Sequence, residues 1–243
     1  MPFIDVNQQT EGDSWLKMRV GAATASRMHD IVAKLKVKSK SGLAGDYKAT
    51  RRNYLTELIT ERLTGLSSEH YLTEWMIRGS EDEDLAVAAY EHKCDEEILH
   101  GGLFVHDSIE YFMASPDRRV GETGLLEVKN FKPENHYEIL RNGIIPEDKI
   151  WQLDAQLACA PEREWVDWGS YCKEFLSPKL RLFVRRHHRD AAKIAEVETE
   201  MRKFNAELAY ELMELANRDD LTGILKASVA KVNEVAEYEG LVP

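Results

Sequence analysis

The stretch "GLLEVKN", residues 124–130, constrains the fold more than any other part of the chain. Its leucines and valine suit a strand packed on an apolar layer, yet Glu127 and Lys129 sit inside it, one residue apart. Strand side chains alternate, so Glu127 and Lys129 share one face while Leu126 and Val128 share the other. Asp117 stands just after a Ser-Pro step, and the turn-rich "RRVGETG" can fold the two pieces back as a loose hairpin. Two carboxylates and one ammonium then meet at one end of a sheet. Close carboxylates repel, and each takes up a proton unless something positive lies between them. A hard divalent cation such as Mg2+ satisfies them with oxygen ligands at about 2.0–2.1 Å. It also lowers the pKa of a bound water enough to make a nucleophile. A lysine beside that water can orient it or neutralise charge building up on a phosphate. From the spacing D-x9-E-x-K alone, an ordinary cross-strand ion pair on a solvated face is the commoner case.

Composition sets wide bounds. With 243 residues the chain has room for one large domain or two small ones with a real core. It carries no run of 18 apolar residues, which excludes a membrane-spanning helix. "MPFIDVNQQTEGD" lacks the basic and apolar regions of a signal peptide. The three cysteines, Cys94, Cys159 and Cys172, form no C-x-x-C pair, so a reducing cytoplasm is expected. A net charge of −11 speaks against a general nucleic-acid coat protein. It leaves room for an enzyme that holds DNA in a local basic channel.

Along the chain, "EGDSWLKMRVGAATASRMHDIVAK" reads as a turn, a short extended piece and a helix capped by Thr24 or Ser26. Lys34, Lys36, Lys38 and Lys40 then alternate with small or apolar residues and lead into Gly42 and Gly45, the composition of a solvated basic loop. A helix is expected over 46–64, with Asp46 as its cap and Tyr54, Leu55, Leu58, Ile59 and Leu63 on one face. A second helix opens at Ser80, where Ser80 and Glu83 match a capping box. Three strand-like pieces follow between Ile98 and Asn130, then a helix from Pro146 through "WQLDAQLACA", then strands at "EWVDWGSYC" and "KLRLFVRRH". Adjacent His187 and His188 point opposite ways on a strand, so "RRHHRD" reads as a basic patch at a strand end and not a metal pair. Trp151, Trp165 and Trp168 read as packing aromatics. From Asp190 to Asn217, Ile194, Val197, Met201, Phe204, Leu208, Leu212 and Leu215 form an apolar stripe on one long helix, suited first to the chain's own core and second to a subunit contact. The sum is a single α+β domain over 1–243, with a small central mixed β-sheet, helices before and after it, and a helical C-terminal tail.

Four blocks in order carry a family resemblance: "DSWLKMRVGAATAS", "RGSEDEDLAVAAYE", the S-P-D and E-x-K elements of "ASPDRRVGETGLLEVKN", and "WQLDAQLA". Together they resemble the phage lambda exonuclease family, the YqaJ-type viral alkaline exonucleases of the restriction-endonuclease-like PD-(D/E)XK superfamily, over roughly residues 11 to 175. The chain departs from the family pattern at Arg118, where glycine is frequent, at Asn130 and Phe131 after E-x-K, and at Asp154, where a second glutamine is usual.

The resemblance implies a restriction-endonuclease-like core over residues 1–189 with a helical extension over 190–243. It implies that Asp117, Glu127 and the carbonyl of Val128 ligate Mg2+, with Mn2+ able to substitute, and that Glu83 supports a second metal position. Lys129 would position the attacking water and Gln152 would order it. Arg19, Ser26 and Ser115 map to a pocket for the 5′-phosphate, where a guanidinium fork and hydroxyls match phosphate oxygens. Lys34, Lys36, Lys38 and Arg118 are candidate DNA contacts. The implied activity is 5′→3′ digestion of linear double-stranded DNA, leaving 3′ single-stranded tails for recombination. The implied assembly is a ring-shaped homotrimer, cytoplasmic and encoded by a phage or prophage, partnered by a single-strand annealing protein. The alternatives are an endonuclease or repair nuclease of the same superfamily, or a binding protein that has lost catalysis. Intact Glu83, Asp117, Glu127, Lys129 and Gln152 argue against the last.

Overall fold

The computed structural model describes residues 3–6, 12–38, 43, 45–68 and 74–217, without the side chains of 12–13 and 74–81. In chain order the elements are β1 Phe3–Ile4, α1 Gly12–Arg19, β2 Ala23–Thr24, α2 Met28–Val32, α3 Ala49–Thr64, α4 Glu74–Glu91, β3 Ile98–His100, β4 Leu103–Val105, β5 Phe112–Ala114, β6 Arg118–Val120 and β7 Gly124–Asn130. There follow α5 Pro133–Asn142, α6 Glu147–Cys159, β8 Trp165–Tyr171, α7 Pro178–Arg181, β9 Leu182–His188 and α8 Ala191–Ala216.

The strands form two mixed sheets, ordered β1-β4-β5-β2 and β3-β6-β7-β8-β9. In the larger sheet β7 pairs with β8 in parallel, from Gly124↔Trp165 to Asn130↔Tyr171, and its other pairings are antiparallel. A parallel pair needs a crossover, and α5 with α6 provides it. β7 is buried on both faces. Leu126 and Val128 pack with Ala86, Val87 and Tyr90 of α4, while Leu125 joins Leu153, Leu157 and Trp168 in the main core. Every strand residue from Gly124 to Val128 is buried, and only Lys129 and Asn130 reach the half-exposed end.

α8 belongs to that main core. Ile194, Val197, Met201, Phe204, Leu208 and Leu212 are all buried in it against Tyr54, Leu58 and Leu153. Asp190 caps the helix, its carboxylate accepting from the amides of Ala192 and Lys193. Among the described residues no helix is long and apolar enough to cross a membrane. All three cysteines are free thiols.

Several local expectations need correction. "GDSWLKMR" is helical as α1, not a turn and an extended piece. Neither Thr24 nor Ser26 caps a helix by its side chain. α3 begins at Ala49, behind Lys48 and not Asp46, and Leu63 is exposed while the other four face residues are buried. Its end at Gly65, in the left-handed region, is as expected. α4 begins at Glu74, six residues before Ser80, so Glu83 lies inside the helix and no capping box forms there. The three strand-like pieces are five strands, because Gly101-Gly102 and Pro116 interrupt them. Lys40, Gly42 and the tail from 218 to 243 lie outside the described residues.

Candidate active site

The hairpin expected around Asp117 forms in another way: the strand before Asp117, β5, lies in the other sheet, and Arg118–Val120, expected as part of the turn, are the strand that pairs with β7. β6 pairs antiparallel with β7, matching Arg118 to Leu126, and the Asp117 amide donates to the Leu126 carbonyl at 3.1 Å. A further bond closes the turn: the Val128 amide donates to Asp117 Oδ2 at 2.7 Å. Gly101 makes this placement possible. A Cβ there would lie 1.6 Å from the Pro116 carbonyl oxygen, so Pro116 can rest against that backbone only because Gly101 carries no side chain.

Glu127 is held from three directions. It is 1% exposed. Gln152 Nε2 donates to its Oε1 at 2.6 Å and Gln156 Nε2 to its Oε2 at 2.5 Å. Lys129 Nζ lies 2.5 Å from Oε1, and the Lys129 side chain keeps 36% exposure. The two glutamines are four residues apart on α6, and that spacing puts both amides on one helix face. Asp154, between them, points away and binds His187 Nε2 at 2.7 Å. Gln156 was absent from the sequence-based site. The i, i+4 relation to Gln152 was the signal that could have found it.

Glu83 enters from α4. Arg118 Nη1 lies 3.3 Å from Glu83 Oε1, Nη2 lies 3.4 Å from Asp84 Oδ1, and Nη1 also donates to the Asp117 carbonyl at 2.7 Å. The acids feel one another. Burial, then the Glu127 charge and the charge of Glu83, hold the Asp117 carboxyl well above its usual range despite Lys129. Burial also pushes Glu83 up, and Glu127 adds to this, with Arg118 opposing. Burial alone would lower the Lys129 ammonium, but Glu127 and Asp117 outweigh it and raise it. Burial and like charge therefore both oppose ionising these acids together without a positive partner. Among the described residues no group of three or more His, Cys, Asp or Glu side chains forms a ready metal cage.

The residues assigned to a 5′-phosphate pocket sit on neighbouring pieces. Trp15 Nε1 donates to Ser115 Oγ at 3.1 Å, and the Ser115 hydroxyl donates to the Gly102 carbonyl at 2.9 Å. The Arg19 guanidinium lies 3.8 Å over the Trp15 ring, so Trp15 links Arg19 to Ser115. Ser26 is exposed and meets Thr24 Oγ1 at 3.1 Å. Thr24 in turn pairs with Met113 in register, two residues from Ser115. Lys34 lies over the Tyr47 ring at 4.9 Å, and Tyr47 donates to Glu200 of α8, while Lys36 and Lys38 are exposed. Among the described residues no contact ties these lysines to Glu83, Asp117 or Glu127. The "RRHHRD" cluster has structural work. Arg186 grips Asp167 through two bonds, and Arg189 donates to the Leu157 and Ala160 carbonyls at the end of α6.

Removing the Gln156 amide should tell at once. Gln156→Ala leaves one buried oxygen of Glu127 without its donor, and an unsatisfied buried acceptor costs about 1–3 kcal/mol, more when charged. A fall of that size in unfolding free energy is expected from urea denaturation at pH 7. An unchanged midpoint would show that Glu127 does not depend on this amide.

The fold is that of the alkaline exonucleases. The chain is similar to an alkaline exonuclease, LHK-Exo, from Laribacter hongkongensis, with a TM-score of 0.74 and 37% identity over 85% of this chain and 97% of that one. For LHK-Exo in complex with dAMP the values are 0.73 and 36%, over 90% and 99%. A phage related exonuclease from Haemophilus somnus 129PT shares the fold at a TM-score of 0.58 and 13% identity, over 80% of this chain and 96% of that one. A profile of the YqaJ-like viral recombinase domain matches residues 14–163. The chain belongs to that family. A search of curated proteins gives no significant match.

Proposed function

We propose that this chain is a Mg2+-dependent 5′→3′ exonuclease that digests one strand of linear duplex DNA and leaves 3′ single-stranded tails. Homology to alkaline exonucleases supports the nuclease class. The observation that carries the finer reading is the Glu127 arrangement, a buried carboxylate fixed by two glutamine amides with a half-exposed lysine beside it and Asp117 across the hairpin. An ordinary surface ion pair would have no reason to be so held.

The donor set fits a hard cation. Its groups are carboxylates and a carbonyl, all oxygen, and the crowding of buried acids is relieved by a positive partner between them. Asp117, Glu127 and the Val128 carbonyl would hold Mg2+, or Mn2+ in its place, with Glu83 in support. Such an ion, when bound, neutralises charge on the scissile phosphate and lowers the pKa of coordinated water. Gln152 and Gln156 keep Glu127 in one orientation, while Lys129 orients the attacking water and offsets charge on the phosphate. Arg19, Ser26 and Ser115 would receive the 5′-phosphate, and Arg118 would lie beside the DNA. The ring-shaped homotrimer, the channel mouth at Lys34, Lys36 and Lys38, and the single-strand annealing partner rest on the family resemblance.

The test is digestion of linear duplexes bearing a 5′-phosphate or a 5′-hydroxyl, and of a covalently closed circle, with Mg2+ or EDTA. Degradation only with Mg2+, faster from the 5′-phosphate and absent on the circle, is expected. Cutting of the circle would favour the endonuclease or repair nuclease reading instead.

A further inference from the structure

We propose that Arg118 takes the place of a second cation at this site and limits it to one divalent ion per chain. The inference rests on the metal-dependent reading above and concerns only how many ions the site accepts. Arg118 is not a loose surface arginine. Its backbone is fixed in register between His100 of β3 and Leu126 of β7. It shares a strand face with Val120, which packs in the cluster that holds Ala86, Val87 and Tyr90 of α4. The side chain is therefore delivered toward the acidic helix, where it is only 15% exposed.

Once there, the guanidinium is anchored by its 2.7 Å bond to the Asp117 carbonyl and spans Glu83 and Asp84 with its two terminal nitrogens. A planar fork of donors can bridge two carboxylates, and a guanidinium sheds its weak hydration more readily than an ammonium does. Asp82 of the same helix is matched as well, since Lys173 Nζ lies 2.6 Å from its Oδ1. A second ion near Glu83 would have to displace the guanidinium from the carboxylate and from the Asp117 carbonyl. Glu83 in this chain is thus a partner for Arg118 and not a ligand for a second ion.

The experiment counts ions directly. The full chain, free of DNA, is titrated with Mn2+ while the free ion is followed by electron paramagnetic resonance and the heat by calorimetry. Circular dichroism checks that each variant is folded. Wild type is expected to bind one Mn2+, Arg118→Gly two, and Arg118→Lys, which keeps the charge, one. Should Arg118→Gly fail to fold, Arg118→Met removes the charge while keeping the bulk, and it too is expected to bind two. Two ions on wild type, or one ion on a folded variant without the charge, would overturn the inference and leave the nuclease reading standing. No ion on wild type, together with cleavage indifferent to EDTA, would remove both.

Discussion

Lys129→Ala is expected to lower cleavage of linear duplex DNA by at least about 100-fold, the scale of removing one group that stabilises charge in a transition state. Duplex binding should be retained. The ammonium sits 2.5 Å from Glu127 Oε1 at the half-exposed end of β7, so it reaches from the buried carboxylate toward the position a phosphate would take. The backbone around it is held by β8, with Lys129 opposite Ser170, and loss of the side chain leaves that pairing intact. Glu127 keeps its two amide donors in the variant, so the fold has little reason to change. Single-turnover digestion of an end-labelled duplex, with binding measured in Ca2+, separates chemistry from affinity. Cleavage at the wild-type rate would mean that the lysine is a mere partner for Glu127.

Phe204→Ala should cost about 3–5 kcal/mol of unfolding free energy, the usual range for emptying a fully buried phenyl site. Phe204 is 0% exposed, stacks on Tyr54 at 5.6 Å between ring centres and lies under the Arg51 guanidinium at 5.1 Å. Tyr54 in turn donates its place in the core to α3, and its hydroxyl accepts from the Thr24 amide at 3.0 Å. A cavity at Phe204 would therefore loosen α3, α8 and the β2 segment together. Urea denaturation measures it. A loss below about 1 kcal/mol, the scale of a mutation outside a packed core, would show α8 to be a detachable appendage, contrary to its place in the main core.

Much of the architecture could be read from the residues, for reasons that differ by element. α8 was legible because its apolar positions recur over seven turns, so the period is unmistakable and the Asp190 cap marks its start. The β6–β7 hairpin was legible only in part: "GETG" marks its turn, but Arg118–Val120 are too few to show a strand pattern and read as turn. α1 was missed because eight residues with Trp15 as the one buried side chain among those described carry too little periodicity. α5 was assigned no element, although Pro133 opens it and Gly143 closes it, since only His136 and Ile139 are buried on it. Strands of three residues, as at β3 to β6, are shorter than the window in which alternation can be counted. Within the site, Glu127 and Lys129 announced themselves by being charged where the strand should be apolar. The link from Trp15 to Ser115 joins residues a hundred positions apart, and no local pattern foretells it. The bridge from Arg118 to α4 is hidden for the same reason, because it exists only once the helix lies on the sheet.

β7 is covered on both faces, and this decides how the site can fail. A strand flanked by β6 and β8 and packed between α4 and α6 exchanges its amide hydrogens only through the largest opening the molecule undergoes. Val128, whose amide binds Asp117, should accordingly be among the slowest amides to exchange. The carboxylates cannot be scrambled by local breathing, so heat or denaturant should remove the chemistry and the fold in a single step.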